Sequence, residues 1–560
     1  MTPGRSVAAL GVLVCSQAAL LAADGPPADP ARDRPVVRVA YLVPTDRRPE
    51  PDYRARLDRV MSEVQQFYRT GMEENGHGKR TFELDRDAKG ALRVHEVHAK
   101  GPMRDYGRDG SDKVRREVKA ALAKEKIDAD AETVVIFQLL LDWRGDNAEE
   151  IGPFVGGGGP RSGTAWVYDD AKLDPRLLPS REPGGYYHGP CSLGQFNTHY
   201  VGGVVHELGH AFGLPHDCER DADRPRRGRS LMGGGNHTYG QERRGEGKGA
   251  FLSAASALPL SVHPLFTGKR SPVVPLTCRF AELKAAHDGG RVVLTGRLQG
   301  SPRAVGLVAR NDPAGPAGDY DAVGWTCPVG ADGAFRLEVG ELKPGEHDLR
   351  LAAYTEGGDA RPLTVRYRID PARVPDLRPF EAADREFAAR RPEFLTPERR
   401  KRNLLAGGTF EDGAGGGWAV RSYRPERDAP ERTTDEAKEG KSSLVIRAAA
   451  AAGNDIAYVQ KVAVRPGTRY LLSGWAKTKN VAVAEKGGAT GATLGVFGRF
   501  ESSESLVGDQ GWTFLTLVFD SGRQSEVEVG ARLGHNGSVA RGSAWFDDLV
   551  LLELGPSPAR

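Results

Sequence analysis

No other segment limits the fold of this chain as strongly as VVHELGHAFGLPHDCE at residues 204–219, where three histidines and a glutamate surround a glycine. His206 and His210 stand four positions apart, so on an α-helix their rings lie one turn apart on the same face. Gly213 has no Cβ and can adopt the positive φ that ends a helix and turns the chain back. The stretch therefore predicts a helix that stops at Gly213 and a turn that brings His216 beside the other two histidines.

Three converging imidazoles suit Zn²⁺ and leave one coordination position open to water, as catalytic zinc sites do. Zinc lowers the pKa of such a water towards about 7. Glu207 follows the first histidine and is predicted to be the general base, which accepts a proton from the water and passes it to the leaving nitrogen of an amide. The alternative is a buried amphipathic helix whose histidines are incidental.

The pattern H-E-x-x-H-x-x-G-x-x-H resembles the hallmark of the metzincin clan of zinc metalloproteases, in which it is followed by a Met-turn. GRSLMGGGNH offers Met232 as that residue. The resemblance implies that Met232 is a hydrophobic floor rather than a ligand; an ordinary apolar turn residue is the alternative. Asp217 resembles the reprolysin branch, where this residue supports the structure around the site. Gly234 stands where astacin-like and serralysin-like members have a tyrosine, so the chain is assigned to no named subfamily.

Residues 35–268 are predicted to form the α/β metzincin-like zinc peptidase domain around this motif. Buried strands such as PVVRVAYLVP and ETVVIFQLLLDW alternate with segments whose apolar residues recur at helical spacing. The resemblance further implies that an edge strand before the motif helix pairs with an extended peptide substrate. SGTAWVY, residues 162–168, stands where that strand belongs.

The rest of the chain has a different pattern, so the predicted fold class is multidomain. Residues 271–370 are short strands separated by Gly, Pro and Asp turns, which predicts an Ig-like β-sandwich that acts as a spacer or support. Residues 371–402 are rich in proline and charge and are expected to be a linker with one short helix. Residues 403–555 alternate apolar and polar positions and resemble the galactose-binding-like jelly rolls found as carbohydrate-binding modules.

That second resemblance implies two binding properties for residues 403–555. An opening acidic residue and a closing aspartate often clasp a structural Ca²⁺ in such modules, and Glu411 and Asp547 match those places. Ordinary turn or edge carboxylates are the alternative. An aromatic face for a polysaccharide or glycoprotein is the other implied property, with core aromatic residues as the alternative. The candidate side chains are Trp418, Tyr423, Trp475, Trp512 and Trp545.

The net charge of the chain and its N-terminal apolar run restrict the expected binding partners and the expected cellular compartment. The 78 Lys and Arg residues nearly balance the 75 Asp and Glu residues, so nucleic acid is not an expected partner. Residues 1–23 predict a secretory signal, because Arg5 precedes an apolar run that is too short and too interrupted to span a membrane. Cys15 is expected to leave with that signal, and a lipid anchor at Cys15 is the alternative. The protein is therefore predicted to be secreted or extracytoplasmic, in the periplasm or at the cell surface.

Four further cysteines raise the question of disulfides in an oxidising compartment. The pairs Cys191–Cys218 and Cys278–Cys327 are predicted, because each pair then stays within one domain. Free buried thiols are the alternative.

Together these features predict a secreted zinc metalloendopeptidase that acts on a protein or peptide substrate and is positioned by its β domains. Two alternatives remain open from the sequence. One is a non-catalytic carbohydrate-binding surface protein that retains a zinc fold. The other is a narrow-specificity amide hydrolase that acts on cell-wall peptides.

Overall fold

The structure, a computed structural model, describes residues 34–186, 189–270, 276–412, 417–424, 428–449, 453–483, 490–535 and 538–557. The predicted secretory signal and Cys15 lie outside the described residues. Among the helices that the structure describes, none is long and apolar enough to cross a membrane.

The N-terminal part combines six helices with short strands. The helices are α1 (Tyr53–Glu74), α2 (Ser111–Lys124), α3 (Leu193–Ala211), α4 (Arg224–Arg227), α5 (Ala254–Val262) and α6 (Pro264–Thr267). The strands are β1 (Val36–Val43), β2 (Glu83–Leu84), β3 (Val94–His98), β4 (Thr133–Gln138), β5 (Leu141–Arg144), β6 (Asn147–Glu150), β7 (Val155–Gly158), β8 (Gly163–Tyr168), β9 (Pro183–Tyr186), β10 (Pro190–Ser192), β11 (Arg229–Ser230) and β12 (Ala250–Phe251).

The central sheet of this part has the strand order β2-β1-β4-β8-β7, with β3 also paired to β1. All its pairings are parallel except that of β7, which runs antiparallel to β8. Every residue of β4 is buried, as expected of a parallel strand covered on both faces. Leu57, Val60, Val64 and Tyr68 recur at helical spacing along α1 and are fully buried in the same core. This α/β core supports α3, the helix that carries the histidine pair.

The middle part is a sandwich of two antiparallel sheets. Its strands are β13 (Arg279–Asp288), β14 (Arg291–Gln299), β15 (Ala304–Pro313), β16 (Val323–Pro328), β17 (Ala334–Val339), β18 (Gly345–Thr355) and β19 (Ala360–Ile369). One sheet has the order β13-β14-β17 and the other β16-β15-β18-β19. The helices α7 (Arg378–Ala389) and α8 (Pro397–Arg400) follow in the segment predicted to be a linker. Phe380 and Phe387 of α7 pack on the core of this sandwich.

The last part is a second antiparallel sandwich, which agrees with the all-β prediction. Its strands are β20 (Trp418–Ser422), β21 (Glu431–Thr433), β22 (Ser443–Ala448), β23 (Ile456–Ala463), β24 (Thr468–Val483), β25 (Ala492–Val496), β26 (Gly508–Asp520), β27 (Glu526–Leu533) and β28 (Ala540–Pro556). The two sheets have the orders β20-β23-β27-β25 and β21-β22-β28-β24-β26. Apolar side chains from both sheets fill the space between them.

Candidate metal centre

The histidine-bearing helix α3 has a defined beginning and end. Ser192 Oγ accepts a hydrogen bond from the backbone N of Gln195 at 3.1 Å, and Gln195 Oε1 accepts one from the backbone N of Ser192 at 3.0 Å. This is a capping box. At the other end Gly213 has a φ of 84°, and the backbone N of Leu214 donates to Gly209 O at 3.0 Å, as in a Schellman motif. The predicted stop at Gly213 is confirmed, and it turns the chain back towards the helix.

The three motif histidines converge on one point. His210 Nε2 lies 3.1 Å from His206 Nε2 and 3.1 Å from His216 Nε2. The ligand atoms of the three residues all lie within 4.8 Å of one another. Among the residues that the structure describes, this is the one group of three or more His, Cys, Asp or Glu side chains close enough to hold a metal ion.

The Nδ1 atoms of these rings show which tautomer each imidazole adopts. Each Nδ1 faces an oxygen acceptor, so each must carry the ring proton, and the Nε2 lone pairs are left pointing at one another. Lone pairs that face each other repel unless a cation lies between them, so the donor set fits a metal ion. The Nδ1 contacts, all 2.8 Å long, run from His206 to Leu231 O, from His210 to Leu214 O and from His216 to Asp319 Oδ1.

The environment also favours the neutral imidazoles that a metal needs. Burial, followed by the nearby His210, lowers the pKa of His206 to about 3. Burial lowers the pKa of His210 as well. Both rings are therefore unprotonated at Nε2 around neutral pH and are ready to bind a cation.

Glu207 lies on α3 directly after the first histidine, so its side chain is rotated about 100° around the helix axis from that of His206. It is buried, with 8% of its surface exposed. Burial raises the pKa of its carboxyl to about 7, while a backbone hydrogen bond from Gly156 acts in the opposite direction. A cation on the histidines would lower that pKa again, because an opposite charge favours the ionised form. The carboxyl is therefore held against β7 by the Gly156 amide, on the helix that carries His206 and His210.

The edge of the central sheet is β7, not the predicted SGTAWVY strand. SGTAWVY forms β8, which is flanked by β4 and β7 and so has no free edge. The prediction was wrong because glycine has low β-propensity, so the glycine run at residues 156–159 gives no sequence signal of the strand that forms this edge. The glycines are required because α3 lies directly beneath β7. A Cβ on Gly156 would lie 1.9 Å from Glu207 O, and one on Gly158 would lie 2.2 Å from Ala211 O.

This close approach predicts a stability difference between two neighbouring glycines. Gly156→Ala is expected to lower the free energy of opening of α3 by about 1–3 kcal/mol, because the added methyl overpacks the contact with Glu207 and His210. Gly157→Ala is the matched control, since nothing lies within 4 Å of a Cβ at Gly157. Hydrogen exchange of the α3 amides measures the difference. Equal protection in the two variants would show that β7 moves away from α3 at no cost.

Met232 is fully buried against α3. A Cβ on Gly209 would lie 2.6 Å from Met232 Sδ, so the thioether packs on the helical turn between the two α3 histidines. The preceding residue, Leu231, supplies the carbonyl oxygen that faces His206 Nδ1. Met232 therefore packs against the helical turn that carries the histidine pair. Its role as a floor for the metal stays a prediction.

Asp217, directly after the third histidine, is completely buried and anchors the surrounding chain. It accepts hydrogen bonds from the hydroxyls of Ser253 and, at 3.0 Å, Ser256. Burial raises the pKa of Asp217, and Arg310 of the middle sandwich acts in the opposite direction. The contacts are structural, which agrees with the supporting place expected of this residue.

Two residues beside the centre were not found from the sequence. Asp319 and Tyr320 lie in the loop between β15 and β16, so they belong to the middle sandwich. Asp319 Oδ1 faces His216 Nδ1, and the Tyr320 ring stacks on the His216 ring with centroids 3.7 Å apart and an interplanar angle of 28°. The stretch DYD carries no spacing relation to the motif. The middle sandwich, expected to be a spacer or support, therefore places two side chains on His216.

The predicted disulfide between Cys191 and Cys218 is wrong, because neither residue is disulfide-bonded. Cys191 lies in the β9–β10 hairpin, where its Sγ is 2.6 Å from Gly185 O. The backbone N of Cys218 instead donates to Ala322 O of the middle sandwich at 2.8 Å. The two cysteines therefore lie in different parts of the fold.

The predicted Cys278–Cys327 disulfide is wrong as well. Both side chains are buried in the apolar interior of the middle sandwich. Burial raises the pKa of the Cys327 thiol to about 11 and also raises that of Cys278. The two residues therefore act as small apolar side chains, which is the alternative of free buried thiols.

Glu411 and Asp547, the candidate calcium ligands, both bind the same loop of the last sandwich. Glu411 Oε1 accepts hydrogen bonds from the backbone N atoms of Lys441 and Ser442 at 2.8 and 2.9 Å. Asp547 Oδ2 accepts from Lys438 N at 2.8 Å and from Glu439 N at 2.9 Å. The carboxylates thus hold this loop through its amide protons, and calcium binding stays a prediction.

The candidate aromatic face of the last sandwich is divided between the core and the surface. Trp418 is half-buried and stacks on Tyr458, with ring centroids 5.3 Å apart. Trp545 is buried, and Trp475 packs on Phe514. Tyr423 is the exposed member, with 67% of its surface accessible. The five aromatic residues therefore do not form one platform.

Comparisons with known proteins identify fold relatives only. No family model matches the chain, and no curated protein matches it. Among solved structures, wild-type OgpA from Akkermansia muciniphila is similar, with 23% identity and a TM-score of 0.51 over 60% of this chain and 94% of that one. Catalytically inactive OgpA from the same organism, in complex with an O-glycopeptide (glycodrosocin) substrate, gives 22% identity and a TM-score of 0.52 over 60% and 93% of the two chains. At this identity the likeness shows a shared fold.

The carbohydrate-binding module TmCBM61, solved in complex with β-1,4-galactotriose, covers 27% of this chain and 99% of its own. The identity is 16% and the TM-score is 0.21.

Proposed function

We propose that the chain is a secreted, zinc-dependent endopeptidase of the metzincin type that hydrolyses O-glycosylated peptides. The observation that carries the proposal is the convergence of three Nε2 atoms, with His210 Nε2 3.1 Å from each of the other two. The buried carboxyl of Glu207 lies on the same helix as His206 and His210. The fold shared with OgpA, which has been solved with an O-glycopeptide substrate, supports the substrate class. Secretion rests on the N-terminal apolar segment.

Each part of the centre has a separate task in this reaction. His206, His210 and His216 would hold the zinc, which supplies a Lewis acid that polarises the scissile carbonyl and makes water acidic. Glu207 accepts the proton that the attacking water loses as its oxygen bonds to the carbonyl carbon. The same carboxyl then delivers that proton to the amide nitrogen as the C–N bond breaks. The products are one carboxylic acid and one amine.

Strand β7 offers a place for the substrate backbone. It is the last strand of the central sheet, and it lies directly against the helical turn that carries Glu207 and His210. A peptide that adds to this edge would receive main-chain hydrogen bonds that are independent of its sequence. Selectivity would then come from groups that face its side chains, including any sugar.

Cleavage of a matched peptide pair tests the proposal. Two peptides of identical sequence, one with an O-linked sugar on a single threonine, are incubated with the zinc-loaded full chain and the products are identified by mass spectrometry. We expect cleavage at one bond of the glycopeptide and a rate at least about tenfold lower for the bare peptide, because a site built around the sugar leaves polar groups unpaired without it. A chelator is expected to abolish cleavage, and added zinc to restore it.

Each of the other outcomes would favour a different alternative function. Equal cleavage of both peptides would keep the endopeptidase and overturn the glycan preference. Cleavage of a cell-wall peptide alone would favour the narrow amide hydrolase. A zinc-loaded chain that cleaves none of the three would favour a binding protein that retains the zinc fold.

A further inference from the structure

We infer that the middle sandwich supplies part of the metal centre: Asp319 is the positioning residue for His216, and Tyr320 fixes the plane of its ring. This inference rests on the proposed metal site and extends it to a second structural unit. Without the loop that joins β15 to β16, the third ligand would have neither a partner for Nδ1 nor a surface to hold its imidazole.

The three histidines differ in how their Nδ1 atoms are held. Those of His206 and His210 face backbone carbonyl oxygens close to the motif, Leu231 O and Leu214 O. His216 Nδ1 faces a carboxylate oxygen of Asp319 at 2.8 Å. A carboxylate is the stronger acceptor, so it holds the ring in the tautomer whose Nε2 faces the metal and makes that nitrogen a better donor.

Tyr320 restrains the same ring from its face. The two rings are stacked at a centroid distance of 3.7 Å and an interplanar angle of 28°, so rotation of the His216 imidazole is restricted by the phenol ring. The other side of Tyr320 is open, with 54% of the residue exposed. Tyr320 therefore packs on His216 on one side and faces solvent on the other, so it forms part of the wall of the site.

Contacts directly after Tyr320 fix the loop to the chain that follows His216. Cys218, two residues after His216, donates from its backbone N to Ala322 O at 2.8 Å. Arg220 Nε donates to Gly324 O at 3.0 Å, and its guanidinium lies over the Trp325 ring at 4.2 Å. The chain that follows the third ligand is therefore tied to the start of β16.

An apolar contact further from the centre joins the two parts of the protein. Ala255 and Val262 of α5 pack on Val308 and Tyr354 of the middle sandwich. A Cβ on Gly324 would lie 2.4 Å from Ala255 Cβ, so the surfaces fit closely. This packing keeps Asp319 in register with His216, which a flexible spacer would not do.

Metal affinity measured without substrate tests the inference. Zinc dissociation constants of the full chain and its variants are determined by competition with a chromophoric chelator. We expect Asp319→Ala to weaken zinc binding about 10–100-fold. Asp319→Asn keeps an acceptor oxygen without the charge, so its affinity is expected between those of Asp319→Ala and the parent. Tyr320→Ala is expected to weaken binding about 2–10-fold, while Tyr320→Phe keeps the stacked ring and the parent affinity.

Two aspartates of the same sandwich are the controls. Asp359 pairs with Arg161 across the contact between the two parts, so Asp359→Ala tests loosened docking alone. Asp348 pairs with Arg366 within the sandwich, and Asp348→Ala tests loss of an exposed charge. Both are expected to keep the parent affinity. Thermal unfolding of the zinc-free proteins checks their folding, and Asp319→Asn carries the test where Asp319→Ala does not fold.

The outcomes separate this inference from the proposed function. Parent-like zinc affinity in a folded Asp319→Ala variant would overturn the inference and leave the peptidase intact. Tight zinc binding by a parent that cleaves no peptide would overturn the peptidase, while the affinity ratio would still decide the part played by Asp319. A parent that binds no zinc would overturn both.

Discussion

Glu207→Gln is expected to lower kcat/KM for the glycopeptide by about 10²–10⁴-fold, the usual contribution of a positioned general base. Glutamine has nearly the same shape as glutamate, but its amide does not accept a proton from the attacking water. The three histidines proposed to bind zinc are unchanged, so we expect zinc content to match that of the parent. Steady-state kinetics and metal analysis of the same preparations measure the two quantities.

The buried environment of Glu207 allows Glu207→Gln to test the general base without a loss of stability. Its carboxyl is buried, and burial raises its pKa to about 7 in the metal-free protein, so the neutral amide is not expected to destabilise the fold. Glu74→Gln is the matched control, because Glu74 lies on the surface and pairs with Arg227 away from the centre. Unchanged kcat/KM in Glu207→Gln with zinc still bound would show that another group removes the proton from water.

The part of the centre that is local in the chain was predictable from the sequence. His206 and His210 are placed by helical periodicity, and Gly213 supplies the φ of 84° that turns the chain back to His216. All of these relations lie within a few residues, where backbone geometry decides the outcome. Asp319 lies 103 residues after His216, and its place depends on how a separate sandwich docks on the N-terminal part.

The fold shows the same division between local and long-range information. The alternation of buried strands and amphipathic helices predicted the α/β part, and the strand rhythm predicted two β parts. The edge strand was misplaced because β7 consists largely of glycine, and only the position of α3 explains why side chains are excluded there. Disulfides were predicted from the expected compartment and from the domain in which each cysteine lies, whereas bonding requires thiols placed at a specific geometry. The spacing of the cysteines along the chain does not determine that geometry.

Asp169→Ala is expected to lower the free energy of unfolding of the N-terminal part by about 3–5 kcal/mol, because it removes one partner of a buried ion pair. Arg56 holds both oxygens of Asp169 at 2.5 and 2.8 Å. The hydroxyl of Tyr41 donates to the same carboxylate at 2.8 Å. The side chains of Arg56 and Asp169 are 5% and 0% exposed, so the guanidinium would be left charged and without its carboxylate in a site closed to water.

This ion pair matters to the centre because Asp169 directly follows β8, the strand that holds β7 against α3. Hydrogen exchange of the β4 and β8 amides in increasing urea measures the effect on this part, which avoids averaging over the two sandwiches. Asp130→Ala is the control, since Asp130 is half exposed and pairs with Lys119 and Arg115 at the surface. Its expected cost is below about 1 kcal/mol. A similar small cost for Asp169→Ala would mean that water reaches Arg56, and the anchor of β8 would then lie in its apolar contacts instead.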